Sequence, residues 1–123
     1  MGGRGTFAAG NPVAFVYQTV DTIEGVKVLA GINGKHGLPE EAHSSHAYIK
    51  LKPDGTFHEM RIYDKDHYLV FEIAYHPEPS LDSSRKPILH YHLYDRGFKR
   101  TNAIKATKAM KRHFAKYLKG VPL

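Results

Sequence analysis

From residue 47 onward, apolar and polar side chains alternate with a period of two, the signature of strands with one buried face. Ala47, Ile49 and Leu51 alternate with Tyr48 and Lys50. In 57–63, His58, Met60 and Ile62 oppose Phe57, Glu59 and Arg61. In 68–76, Leu69, Phe71, Ile73 and Tyr75 oppose Val70, Glu72, Ala74 and His76. In 88–94, Leu89, Tyr91 and Leu93 oppose His90, His92 and Tyr94. Pro53-Asp54-Gly55 is a turn signal, because Pro presets φ and Gly takes positive φ without strain. Residues 64–67 and the proline-rich 77–87 punctuate the later strands. Weaker strand patterns lie at 13–18 and 25–30. The glycine-punctuated stretch 31–45, with His36 and His43, reads as a long loop.

The period changes near the end of the chain. Ala103, Ile104, Thr107, Met110, Phe114, Tyr117 and Leu118 recur at helical spacing, so a helix is expected over 101–119. Thr101 or Asn102 would cap it, and Gly120 and Pro122 would stop it. The expected fold is α+β: an antiparallel β-meander of four to six strands packed against a C-terminal α-helix. Residues 1–12, with four glycines and Pro12, read as a flexible N-terminal arm, and 13–123 as a single domain.

Once the apolar sets point inward, the outward sets follow, because side chains two apart share a face. They are Glu59, Arg61 and Tyr63; Glu72 and His76; His90, His92 and Tyr94; with Tyr48 and Lys50 beside them. Such a face invites acid–base chemistry on a phosphodiester without a metal or other cofactor. Glu59 or Glu72 would serve as base, Arg61 as phosphate clamp, and His90 or His92 as acid, with His76 at the rim. Two other readings stay open. The groups can be ordinary pairs on a solvated face. Alternatively, His90 and His92, two apart on a strand, can share a metal ion with His76 or Glu72. The stretch Tyr75-His76-Pro77-Glu78-Pro79 reads first as a strand stop, since Pro77 donates no ladder bond.

The chain has 123 residues, no cysteine and a formal net charge of +6. Thiolate metal sites and disulfide scaffolds are thereby excluded. No apolar run approaches the ~18 residues of a membrane helix, and no signal-peptide pattern opens the chain. A soluble, cytoplasmic protein is expected. Residues 99–119 carry eight basic side chains and no acid. On one helix, Lys105, Lys108, Arg112, Lys116 and Lys119 would form a continuous basic stripe. That stripe and Lys50 would suit a nucleic-acid backbone, while a merely solvated surface is the alternative.

Met1-Gly2-Gly3-Arg4-Gly5 resembles the start of small proteins encoded beside prophage head genes. Arg61-Ile62-Tyr63-Asp64, Glu72-Ile73-Ala74-Tyr75-His76-Pro77 and Leu89-His90-Tyr91-His92 are similar to domains attached to phage head-morphogenesis proteins. Those domains are grouped with the barnase, EndoU, colicin and RelE-like nucleases. The resemblance implies a metal-independent, toxin-type ribonuclease acting in a bacterial host, with RNA or a phage head component as partner and a place in the cytoplasm or the virion. Its topology departs from those nucleases, which place helices before the sheet.

Overall fold

The computed structural model describes residues 17–31, 38 and 46–123. The expected arm, most of the first expected strand, His36 and His43 lie outside them. Seven strands form one sheet in sequence order: β1 (Tyr17–Ile23), β2 (Val26–Gly31), β3 (Ala47–Leu51), β4 (Phe57–Tyr63), β5 (Leu69–Pro77), β6 (Pro87–Leu93) and β7 (Ile104–Lys105). A short helix α1 (Lys108–Phe114) and a 3-10 turn (Ala115–Tyr117) follow. The α+β class is as expected. The sheet is larger than four to six strands, and it is mixed, because β2 and β3 run parallel while every other pair is antiparallel. A parallel pair needs a long crossover, and the 32–46 segment supplies its length.

The turns behave as their residues dictate. Glu24 and Gly25 both have positive φ, 50° and 82°, as a two-residue hairpin between right-twisted strands requires. Gly55 has φ 86°, and Asp54 Oδ1 accepts from Thr56 N and Oγ1 at 2.9 and 2.6 Å. Asp64 Oδ1 likewise accepts from the backbone N–H groups of Asp66 and Tyr68.

The main core lies on one face of the sheet. Register aligns Val28, Ile49, Met60, Ile73 and Tyr91 across five strands. Phe114 of α1 stacks on Phe71 at 5.7 Å between ring centroids, and Phe71 on Tyr91 at 5.6 Å. Leu118 and Ala106 close the cluster.

The expected helix over 101–119 is reduced to α1 and the 3-10 turn. Ile104 and Lys105 pair instead with Tyr91 and His90, and Ala106 N donates to Leu89 O at 3.0 Å. Strand pairing on an open sheet edge overrides the helical pattern there. The N-cap is therefore Thr107, whose hydroxyl accepts from Met110 N, rather than Thr101 or Asn102. Gly120 ends the segment as expected, with φ 78°; a Cβ there would meet Thr56 Cγ2 at 2.5 Å. The basic stripe is broken up accordingly. Lys105 is on β7, Lys108 and Arg112 on α1, and Lys116 on the 3-10 turn; all are exposed. No helix among the described residues is long and apolar enough to cross a membrane.

Candidate metal centre

The second face of the sheet carries the residues singled out by the alternation. Two adjacent cross-strand rows hold them. One runs Lys27, Tyr48, Arg61, Glu72, His92; the other runs Lys50, Glu59, Ala74, His90, Lys105. Glu59, Arg61, Glu72, His90 and His92 thus share one face, and His76 joins them through His90, its ring 4.6 Å away.

That face is not solvated as expected. Tyr48, Tyr63, Glu72, His90 and His92 are all buried, and His90 has 0% exposure. Leu29, Leu38, Tyr48, Tyr63 and Leu69 pack there as a second apolar cluster. Leu69 was expected with Phe71 and Ile73. A register shift between Ile62 and Tyr63 sets it opposite Tyr63 instead. A bulge acts similarly on β4. Lys50 pairs with Glu59 but Leu51 with Phe57, so Phe57 and Met60 share the main core and His58 turns away from it. His58 reaches the ring of His76 at 5.7 Å. Four imidazoles, His58, His76, His90 and His92, therefore follow one another edge to face across β4, β5 and β6.

Arg61 is committed to the protein. Its Nε donates to Glu72 Oε2 at 2.7 Å, and its Nη1 to Leu38 O at 2.7 Å. Burial opposes its charge, but Glu72 and Tyr63 outweigh that and raise its pKa. Glu59 is pushed above the ordinary carboxylate range by burial first and by Glu72 second, with Arg61 and Lys50 opposing. These groups form a charged brace between β4, β5 and Leu38.

The histidines are held differently. His90 Nδ1 lies 2.8 Å from Ile88 O, His92 Nδ1 2.9 Å from Thr101 O, and His76 Nδ1 2.8 Å from Pro77 O. A carbonyl only accepts, so each neutral ring carries its proton on Nδ1 and presents a bare lone pair at Nε2. His90 Nε2 is buried and has no hydrogen-bond partner among the described residues. Burial, with His76 and His92 nearby, lowers the His90 pKa and keeps the ring neutral. Burial followed by Lys50 lowers that of His58 in the same way.

One donor atom each from Glu78, His90 and His92 lie within 4.8 Å of one another. Glu78 follows directly on β5, and Ser80 N and Oγ both bond to its Oε2. The Ser80 hydroxyl holds its carboxyl below the usual range, so it is ionised at neutral pH. Metal-bound histidines usually donate their other N–H to a carbonyl or carboxylate, which fixes the ring and the tautomer. His90 and His92 meet that condition before any ion arrives. Two imidazoles and a carboxylate suit borderline ions such as zinc, cobalt or nickel.

The metal set expected from sequence shared His90 and His92 but took His76 or Glu72 as its third member. Glu72 is instead held by Arg61, and Glu78 takes the place. The signal was present in Pro77-Glu78: a proline that ends the ladder exposes the next side chain beside the strand end. His58 could not be found by alternation, because a bulge reverses its face. No family model, curated protein or solved structure matches this chain.

Proposed function

We propose that the protein binds a divalent borderline metal ion through His90 Nε2, His92 Nε2 and the Glu78 carboxylate. The carrying observation is the orphaned His90 Nε2. A buried acceptor without a partner costs about 1–3 kcal/mol, and coordination would remove that cost. Its orientation by Ile88 O and the converging His92 and Glu78 donors support the same reading. The test is a zinc titration of metal-stripped protein by calorimetry, with metal content after dialysis. One equivalent should bind, and His90→Ala or His92→Ala should abolish it. Equal uptake by His90→Ala would overturn the proposal.

A metal-free phosphodiesterase acting on RNA is the second reading. It is favoured by the placing of Glu59, Arg61, Glu72, His90 and His92 on one face. The engagement of Arg61 by Glu72 and Leu38 O weighs against it. Cleavage of labelled RNA that survives EDTA and is lost in an Arg61→Ala, His90→Ala double variant would establish it over the metal reading.

A further inference from the structure

Three histidines share one arrangement, and the three-ligand centre uses only two of them. His76, like His90 and His92, has Nδ1 within hydrogen-bond distance of a backbone carbonyl, and so presents Nε2 as its lone-pair nitrogen. Its ring lies 4.6 Å from that of His90, nearly perpendicular at 85°. It stands two residues before Glu78 at the end of β5. It is half-buried at a strand end, whereas His90 is fully buried.

We infer that His76 is the fourth ligand of this centre, which closes into a tetrahedral three-histidine, one-carboxylate site whose ion fastens the β5–β6 connection to the sheet. The inference rests on the centre proposed above. Four protein ligands are the mark of a structural site, whereas a catalytic zinc keeps one position for water. The hydrogen bonds of the connection among the described residues are local: Leu81 and Asp82 N donate to Glu78 O, Ser84 N to Asp82 Oδ1, and Lys86 N to Ser84 Oγ. Ser83, Ser84, Arg85 and Lys86 are exposed. Because Leu81 and Asp82 hang on the Glu78 carbonyl, an ion that holds Glu78 holds the turn built on it.

Cobalt(II) is the probe, because its visible spectrum reports coordination number. Metal-stripped wild type, His76→Ala and His90→Ala would each be titrated, with circular dichroism to check that the variants fold. Wild type should develop the intense bands of four-coordinate cobalt. His76→Ala should bind at least about tenfold more weakly and give bands displaced from those of wild type, with water in the vacated position. A His76→Ala variant with wild-type spectrum and affinity overturns the inference while leaving the three-ligand centre intact. A wild type that takes up no cobalt removes the centre and the inference together. Trypsin supplies a second readout at the exposed Arg85–Lys86 bond. Zinc should slow that cleavage at least about fivefold in wild type and have little effect in His76→Ala. Cleavage unaffected by zinc in a wild type that binds it would overturn the fastening.

Discussion

The two faces of this sheet are built from alternate residues of the same strands and obey opposite physics. On one, Ile49, Met60, Ile73 and Tyr91 need only to be out of water, and they pack in one cluster with Phe114 of α1. On the other, Arg61, Glu72, His90 and His92 are taken out of water although each prefers it, so each depends on a particular partner. An apolar face is robust to changes of partner and sensitive to changes of volume. A buried polar face is the reverse.

The largest expected effects test that contrast directly. Ile73→Ala on the apolar face should cost about 2–5 kcal/mol by cavity formation. Arg61→Met on the other face should cost about 3–5 kcal/mol, because it strands the Glu72 carboxylate, whose side chain is 6% exposed. The double variant Arg61→Met, Glu72→Leu should recover most of that loss, since no carboxylate at position 72 is then left without its partner. Urea denaturation of the set decides it. A double variant no more stable than Arg61→Met would show that the brace holds the fold by something other than its charges.

The next effect is the response to metal. Zinc at a hundredfold excess over its Kd should stabilise the wild type by about 2.7 kcal/mol, read as a rise in Tm that EDTA reverses. The apolar face should be indifferent to the ion, so Ile73→Ala should show the same increment from a lower baseline. Loss of the increment in His92→Ala, with Tm otherwise near wild type, would place the effect in the centre. An increment that persists in His92→Ala would place it elsewhere.

The cover of the apolar face supplies a smaller effect. Helix α1 has seven residues, too few to persist without its packing and its cap. Thr107→Ala removes the hydroxyl that accepts from Met110 N and should cost about 1 kcal/mol. Thr101→Ala, at the cap expected from sequence, should leave α1 itself unaffected, and amide exchange within 108–114 distinguishes the two.

How far the sequence could be read divides along the same faces. Alternation assigned β3 to β6 and the polar set of Glu59, Arg61, Glu72, His90 and His92, because a pleated strand leaves no other arrangement. It failed wherever the pleat is interrupted. The bulge beside Phe57 turned His58 over, and the shift beside Tyr63 turned Leu69 over. Neither residue type announces a bulge. The parallel pairing of β2 with β3 and the docking of Ile104 on β6 are non-local, so a local period could not report them. The burial of the histidine face was likewise illegible, because Leu38, which packs there, belongs to a stretch that reads as loop. Glu78 was visible beside Pro77 but was read as punctuation.

The last prediction isolates Glu59, a carboxyl on the histidine face whose burial outweighs the opposing pull of Arg61 and Lys50. Glu59 has its folded pKa raised from an ordinary 4.5, by burial and by Glu72. Below 4.5 it is protonated in both states and carries no charge into the interior. As pH rises from there through the raised folded value, the unfolded chain loses the proton first. The folded state then binds more protons, and stability falls with rising pH. Glu59→Gln keeps the shape and removes the titration. Its stability relative to wild type should therefore climb through that window and level off above it. Lowered values at His58 and His90 impose an opposite slope nearer neutrality, but both proteins share it, so it cancels in the difference. Urea titrations from pH 4 to 8 on the pair would show the climb. Parallel curves would mean that Glu59 reaches water or a cation more freely than its place in the row beside Ala74 and His90 allows.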